Sequence, residues 1–404
     1  MSEVKTVLGI NTSHDTAVAV LKDGVLVDVF EEERSRRSKY WSPSEDQPFF
    51  PEGPEDDDKE FWIDSFGLLC IDHKQLHNPD YLAFATFDRR AFNINVGERV
   101  YKDRILQGEM IKDFSAQQLN KTRLDEIKNK YPNEIKEFQI CTSLANSEHK
   151  GEDDLINEAL ARQCQVDKYD FKQEHHYFHA VCGSHLSPYD EAIVITWDGG
   201  GFMTYFDEWP NYQEIECIWH YKKDGTPPIR PLYKRYSNHR LVNDLSMRHF
   251  ENWGEDSCVC YEDETHIIDG VESVFTSMPS MGMNFSNMSH ALGCDDQGRA
   301  AGKVMGMASY GKVVQNVWSK HTAANRLEHD SLFHATMVIQ KAVDLLPDCK
   351  NIILSGGYSL NCTNNYKYLQ AFPEHQFFVD PIPHDGGTAV GCALDYWRNI
   401  QNEN

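Results

Sequence analysis

The chain has 404 residues, 40% of them hydrophobic, and a formal net charge of -24. This composition is typical of a folded globular protein, and the length favours two lobes over one ordinary core. The negative charge argues against general affinity for DNA or RNA, since a polyanion is repelled unless a local basic patch overcomes the field. No segment reaches the roughly 18 apolar residues of a membrane span, and the start lacks the features of a signal peptide. We therefore expect a cytoplasmic protein that does not bind a membrane.

The first part of the chain predicts three short strands joined by a polar turn and the Asp23-Gly24 hairpin turn. These strands are Val4 to Asn11, Thr16 to Lys22 and Val25 to Glu31. A similar layout recurs with a buried strand at Ala192 to Trp197, a DGGG turn and further strands. This repetition predicts an internal duplication in a two-lobed α/β protein, with domains at residues 1–190 and 191–404.

A basic tract, IRPLYKRYSNHRL, interleaves Arg230, Lys234, Arg235, His239 and Arg240 with tyrosines. Such interleaving suits base stacking and phosphate contacts. Because the surrounding sequence is acidic, we interpret the tract as an ordinary surface loop.

A pair of histidines four residues apart, His175 and His179, would lie on one face of a helix. This spacing suits a metal site, but it also suits packing beside a core, and His73 and His77 share it without other support. A metal site needs at least a third protein ligand.

Two strand-to-helix turns stand near the C-terminal end of the sequence. The strand Asn351 to Leu354 leads into Ser355-Gly356-Gly357, where backbone amides could bind an anion or simply form a tight turn. A second strand leads into His384-Asp385-Gly386-Gly387, where Asp385 could cap a helix or bind a metal.

Six motifs, in this order, resemble those of the O-carbamoyltransferase family that includes the tobramycin and nodulation-factor enzymes. They are the N-terminal hairpin with EEERSRRSK, then HHYFHA, ITWDGGG, GKVMGMASYG, SGGYSLNCTNN and HDGGTAVGCA. The resemblance covers nearly the whole chain, and it corresponds to the N-terminal transfer module of the family.

The resemblance implies an α/β fold with two RNase H-like lobes of the actin and sugar-kinase type and a central cleft. It also implies a divalent metal bound by His175, His179 and Asp385. Iron is the first expectation, with zinc, manganese and magnesium as alternatives. Such a ligand set leaves open coordination positions, as a catalytic metal requires.

The chemistry implied by the resemblance starts from carbamoyl phosphate and ATP, which give carbamoyl-adenylate, and ends with carbamoyl transfer to an acceptor hydroxyl. His14 is the expected base or carbonyl-orienting group, and Arg37 and Lys39 are expected to contact phosphate. The expected nucleotide-binding positions are Asp198, Gly199, Gly200, Lys303, Ser355, Gly356, Gly357 and Asn361.

The acceptor stays open between a sugar, a natural product and a hydroxymethylated pyrimidine in a nucleotide or in viral DNA. Longer family members carry a second domain that makes carbamoyl-adenylate, so we expect a separate protein to supply it here. A homo-oligomer is left open. The alternative functions are a tRNA threonylcarbamoyl transferase and a non-catalytic nucleotide-binding protein of the same fold.

Overall fold

The computed structural model describes residues 5–11, 15–31, 33–34, 80–85, 169–172, 174–201, 203–205, 210–238, 263–276, 278, 280–294, 300–310 and 320–403. The chain forms two compact units. The first comprises Met1–Gln173 with Asp385–Asn404, and the second comprises Glu174–His384. Within the described ranges, no helix combines the length and apolar content needed to cross a bilayer.

The first unit contains a five-stranded sheet in the order β3-β2-β1-β4-β5. Its strands are β1 (Thr6–Asn11), β2 (Ala17–Lys22), β3 (Val25–Glu31), β4 (Tyr81–Ala85) and β5 (Tyr169–Lys172). Strands β1 to β3 are antiparallel, and β4 and β5 run parallel to β1. Asp23 and Gly24 both have positive φ angles, of 49° and 78°, as the predicted hairpin turn requires.

The second unit begins with helix α1 (His175–Leu186), which packs against its sheet. The next strands are β6 (Glu191–Trp197), β7 (Met203–Tyr205), β8 (Pro210–Lys222), β9 (Ile229–Asn238), β10 (Asp263–Ile268) and β11 (Val271–Thr276). Helices α2 (Met281–Ala291), α3 (Ala301–Ala308) and α4 (Lys320–Leu345) follow. Strand β12 (Asn351–Ser355), a 3-10 turn (Gly357–Leu360), α5 (Cys362–Ala371) and β13 (Gln376–Val379) complete the unit.

The sheet of the second unit has the order β10-β11-β9-β8-β6-β12-β13. Strands β6, β8 and β9 are antiparallel neighbours, and β12 and β13 run parallel to β6. The path β9-β8-β6-β12-β13 therefore repeats the order and the directions of the path in the first unit. This arrangement is RNase H-like in both units, and it confirms the predicted duplication and the predicted α/β fold with two RNase H-like lobes.

The last helix, α6 (Gly386–Glu403), belongs to the first unit, where it packs on β1, β2 and β4. It lies so close to β1 that a Cβ at Gly9 would collide with the carbonyl oxygen of Ala389. The chain therefore does not divide at residues 190 and 191 as predicted. The first sheet needs a C-terminal helix to cover it, and α1 packs on the second sheet.

The prediction of a surface loop for the basic tract is wrong, because residues 229–238 form β9. Lys234 Nζ pairs with Glu214 Oε1 at 2.6 Å, and Arg235, only 9% exposed, pairs with Asp263 at 3.3 Å. Carboxylates from β8 and β10 thus neutralise two of the cations, which lowers the cost of placing them in a sheet. His239 and Arg240 lie outside the described residues.

Candidate metal centre

The predicted histidine pair lies at the start of α1. His175 and His179 are 2% and 0% exposed, and their spacing of four residues places both imidazoles on one face of the helix. The two Nε2 atoms are 3.1 Å apart. Both rings therefore direct a nitrogen toward the same small volume.

Asp198 supplies a third donor to this volume. It directly follows β6, and its Oδ2 atom lies 3.2 Å from Nε2 of His175 and 3.3 Å from Nε2 of His179. Its Oδ1 atom accepts a hydrogen bond of 2.6 Å from the backbone N–H of Gly199, which fixes the orientation of the carboxylate. Sequence reasoning assigned Asp198 to nucleotide binding and missed this position beside the histidines.

The ionisation state of Asp198 also suits a cation site. Burial alone would raise the pKa of its carboxyl group, but hydrogen bonds and charge interactions with His175 and His179 outweigh burial and hold that pKa well below its usual value. The side chain is therefore a carboxylate at neutral pH, which is the form that binds a metal.

The three donor atoms fit one bound metal ion. Their separations of 3.1 to 3.3 Å are those expected of neighbouring ligands around one ion with bonds of about 2.1 Å. A neutral imidazole has only one N–H, so hydrogen bonds cannot pair all of these closely spaced nitrogen and oxygen atoms with one another. A cation would satisfy all three at once.

The glycine pair after β12 is required by the backbone around Asp198. Gly356 has a φ angle of 88°, and a Cβ there would collide with the carbonyl oxygen of Trp197. A Cβ at Gly357 would lie 2.7 Å from Oδ1 of Asp198. The pair thus forms a tight turn that leaves room for the candidate metal ligand, whereas its predicted contact with a nucleotide stays a prediction.

Two other predicted nucleotide contacts are engaged within the protein. The hydroxyl group of Ser355 donates a hydrogen bond of 2.6 Å to Oδ2 of Asp380. Asn361 is 1% exposed; its amide donates to Glu328 at 2.8 Å, and its carbonyl oxygen caps α5 by accepting from the N–H of Asn364 at 3.2 Å. The Ser355 hydroxyl and the Asn361 side chain are thus hydrogen-bonded to other protein groups, and their predicted contacts with a nucleotide stay predictions.

The remaining nucleotide candidates differ in their surroundings. A Cβ at Gly199 would meet no atom within 4 Å, whereas one at Gly200 would collide with the amide of Gln213. Lys303 is exposed on α3, where its Nζ donates to the carbonyl oxygen of Cys294 at 3.2 Å. Among these three residues, only Gly199 lies in the turn beside the metal centre and also has space around it for a ligand.

Four predicted residues stay predictions. The catalytic candidates His14, Arg37 and Lys39 lie outside the described residues. Asp385, the predicted third metal ligand, follows directly after the last residue of the second unit and is the first residue of the C-terminal segment of the first unit. Its participation is treated below as part of the proposed function.

A second group of potential ligands lies in the core of the second unit. His176 Nδ1 is 3.3 Å from Cys217 Sγ and 3.9 Å from Glu214 Oε2. Lys234 neutralises Glu214, and burial raises the pKa of the Cys217 thiol well above its usual value, so this cluster is electrically balanced without an ion. A divalent cation bound by a Cys217 thiolate would leave a net buried positive charge beside Lys234, which is costly.

A cavity of about 430 Å³ opens beside the glycine turn. Its walls are mainly apolar side chains of α5 and β13, among them Tyr366, Leu369 and Phe377. Asn365 and Asp380 are polar groups at its boundary. Its volume lies in the range of small-molecule sites, and it is widely open to solvent.

Two RNase H-like units in one chain define a protein of the actin and sugar-kinase class, here with a candidate metal centre at a strand end. The chain belongs to the carbamoyltransferase family, since the family model described as "Carbamoyltransferase N-terminus" matches residues 6–334. This match confirms the family predicted from the six motifs. The tobramycin and nodulation-factor subtype stays a prediction.

A curated relative is the uncharacterized protein sll1178 of Synechocystis sp., 23% identical over 414 residues. The alignment covers 98% of this chain and 58% of that protein, so the chain spans little more than half the length of this relative.

Similar solved structures include full-length HypF in the phosphate- and nucleotide-bound form, with a TM-score of 0.49 and 10% identity, over 98% of this chain and 47% of HypF. A ROK family glucokinase from Streptomyces griseus has a TM-score of 0.42 and 10% identity, with coverage of 98% and 99%.

Proposed function

We propose that this protein is a metal-dependent O-carbamoyltransferase. It moves a carbamoyl group from carbamoyl phosphate, through carbamoyl-adenylate, to a hydroxyl group of an acceptor. The observation that carries the proposal is the convergence of His175, His179 and Asp198 donors in a chain of the carbamoyltransferase family. Imidazole and carboxylate donors leave positions on a metal for substrate oxygen atoms.

We include Asp385 in the proposed ligand set, as the resemblance to the family implies. Strands β6, β12 and β13 are parallel, so their carboxyl ends meet at one edge of the sheet. Asp198 follows β6 directly, and the chain reaches Asp385 shortly after β13. Iron is the metal that we propose first, with zinc, manganese and magnesium as alternatives. When bound, the metal supplies Lewis-acid polarisation of a carbamoyl or phosphate oxygen.

The protein's own groups would bind and orient the donor. The N–H groups of Asp198, Gly199 and Gly201 donate within the protein. The phosphate contacts that we propose are therefore the backbone N–H groups of Gly200, Gly356 and Gly357, in the two turns at this sheet edge. The apolar cavity between α5 and β13 is large enough for an adenine ring. His14 is the proposed base for the acceptor hydroxyl, and Arg37 and Lys39 are the proposed phosphate contacts.

We propose a small acceptor, namely a sugar, a natural product or a hydroxymethylated pyrimidine nucleotide, in preference to polymeric DNA. Lys234 and Arg235, which could have contacted a phosphate backbone, are paired with Glu214 and Asp263 in the sheet. The net charge of -24 also opposes binding to a polyanion. Carbamoyl-adenylate could come from a separate protein, which adds a partner to the proposal.

The test combines elemental analysis with an assay for carbamoylated products. The purified protein is incubated with carbamoyl phosphate, ATP and a panel of hydroxyl-bearing acceptors, and the products are weighed by mass spectrometry. A parallel reaction receives carbamoyl-adenylate formed by another enzyme, so that formation and transfer are assayed separately.

His179→Ala should remove the metal and the transfer activity and leave ATP binding largely intact, because His179 is a proposed metal ligand. His185→Ala is the matched control, since His185 lies exposed in the last turn of the same helix. Unchanged transfer by His179→Ala would refute the metal-dependent mechanism. ATP binding by a wild-type protein that contains no metal would instead favour a non-catalytic nucleotide-binding protein.

A further inference from the structure

Asp380 is a buried carboxylate that the proposed reaction does not yet use. It directly follows β13 and is 2% exposed. Its Oδ2 atom accepts a hydrogen bond of 2.6 Å from the Ser355 hydroxyl, and its Oδ1 atom accepts one of 2.9 Å from the N–H of Ile382. The Cys182 thiol donates a longer contact of 3.8 Å to Oδ1. Asp380 therefore joins three segments of the second unit.

Each of these three segments leads to the candidate site. Cys182 lies in α1, three residues after His179, and Ser355 is the last residue of β12 before the glycine pair. Ile382 belongs to the segment that leads to Asp385. A single carboxylate thus connects the helix of the histidine ligands, the turn that accommodates Asp198 and the approach to the last proposed ligand.

Helix α1 passes close to Asp380 and Ser355. Gly183 follows Cys182 in α1, and a Cβ at this position would lie 3.3 Å from Oδ2 of Asp380 and 3.4 Å from Cβ of Ser355. Burial, followed by the charge of Asp380, raises the pKa of the Cys182 thiol well above its usual value, so that the sulfur keeps its proton and can donate. Burial raises the pKa of the Asp380 carboxyl group, and the hydrogen bonds from Ser355 and Ile382 and an electrostatic interaction with His179 oppose that rise.

We propose that Asp380 is a positioning residue for the metal centre. It holds α1 against the ends of β12 and β13, which keeps the imidazoles of His175 and His179 directed at the Asp198 carboxylate, and its own charge favours a cation beside His179. The inference rests on the proposed function, since it requires that these donors bind a metal. Groups that orient metal ligands from outside the coordination sphere typically account for about 10- to 100-fold in metal affinity.

Asp380→Asn tests this role because it preserves the shape of the side chain and removes its charge. Glu328→Gln is the matched control: Glu328 is also 2% exposed and accepts a side-chain hydrogen bond, but it lies on α4 and its partner is Asn361. Co²⁺ is titrated into each metal-free full-length protein and followed by its visible absorption, and thermal unfolding is recorded in parallel. We expect Asp380→Asn to bind Co²⁺ about 10- to 100-fold more weakly with a changed spectrum. Glu328→Gln should lose stability only.

A Co²⁺ affinity of Asp380→Asn within about twofold of the wild type would overturn the inference, since a purely structural role moves only the unfolding temperature. If Asp380→Asn does not fold, Ser355→Ala removes one of the hydrogen bonds, and an unchanged Co²⁺ spectrum and affinity in that variant would overturn the inference equally. Failure of the wild type to bind Co²⁺ refutes both this role and the metal centre. Co²⁺ binding without any carbamoyl product refutes the proposed activity alone.

Discussion

Gly357→Ala is the sharpest test of the candidate metal centre. Gly357 has no positive φ angle that would exclude alanine, yet a Cβ there would lie 2.7 Å from Oδ1 of Asp198. Ordinary contacts of a Cβ begin at 3.4 Å, so the carboxylate must withdraw by about 0.7 Å. The hydrogen bond from the N–H of Gly199 holds Oδ1 in its present position and resists this shift.

A displacement of this size should disturb metal binding more than folding. Ligand sets tolerate errors of about 0.5 Å, so we expect the Co²⁺ affinity of Gly357→Ala to fall about 10- to 100-fold. Overpacking of one methyl group should lower the free energy of unfolding by about 1–3 kcal/mol. Visible absorption during a Co²⁺ titration measures the affinity, and urea unfolding of the metal-free protein measures the stability.

The matched control is Gly306→Ala on α3, where a Cβ would meet no atom within 4 Å. This variant should bind Co²⁺ like the wild type and be at least as stable, because alanine is favoured over glycine in a helix. If Gly357→Ala binds Co²⁺ as tightly as the wild type, Oδ1 of Asp198 need not stay in its present position. The predicted link between this position and metal binding would then be wrong.

Three further predictions concern stoichiometry and stability. Elemental analysis should find one metal ion per chain, because Lys234 already neutralises the charge of Glu214 in the cluster of His176, Glu214 and Cys217. A second metal ion that is lost in Cys217→Ser would contradict this prediction. Burial alone would raise the pKa of Glu216, but the charge of His334, a hydrogen bond with His334 and the charge of Arg235 outweigh burial and lower that pKa from 4.5. Its contribution to stability should therefore be complete above about pH 4.5 and be lost as the pH falls through the lower folded pKa, and urea midpoints of Glu216→Gln should depend less on pH in this acid range. Gly9→Ala should lower the free energy of unfolding of the first unit by about 1–3 kcal/mol or more, as measured by urea unfolding, because a Cβ at this position would collide with Ala389 of α6. Unchanged stability would argue against the packing of α6 on β1.

Local patterns were sufficient to predict several of the strands in both units. The predicted strands at Val25 to Glu31 and Ala192 to Trp197 agree with β3 and β6 to within one residue. Strands of this kind are recognisable because burial and turn chemistry act over neighbouring residues. The spacing of the histidine pair correctly predicted that both imidazoles lie on one face of a helix. Spacing does not show which other groups face them.

The errors arose where partners are distant in sequence. The basic tract was interpreted as a surface loop because the surrounding sequence is acidic. Some of those acidic residues are in fact the ion-pair partners of the tract, since Lys234 pairs with Glu214 and Arg235 pairs with Asp263. The domain boundary was placed near residue 190 for a related reason. Nothing local reveals that the last helix of the chain packs on β1.

The role of Asp198 follows from strand register, which the sequence does not display. Thr196 of β6 pairs with Ser355 of the parallel strand β12, so two residues further on Asp198 and Gly357 leave the sheet side by side. Helix α1 packs on both strands and brings the histidines to the same edge. The glycine pair, taken in isolation, suggests a phosphate site. In the folded chain, glycine is needed at residue 357 for another reason, because any side chain there would contact the carboxylate that faces the two imidazoles.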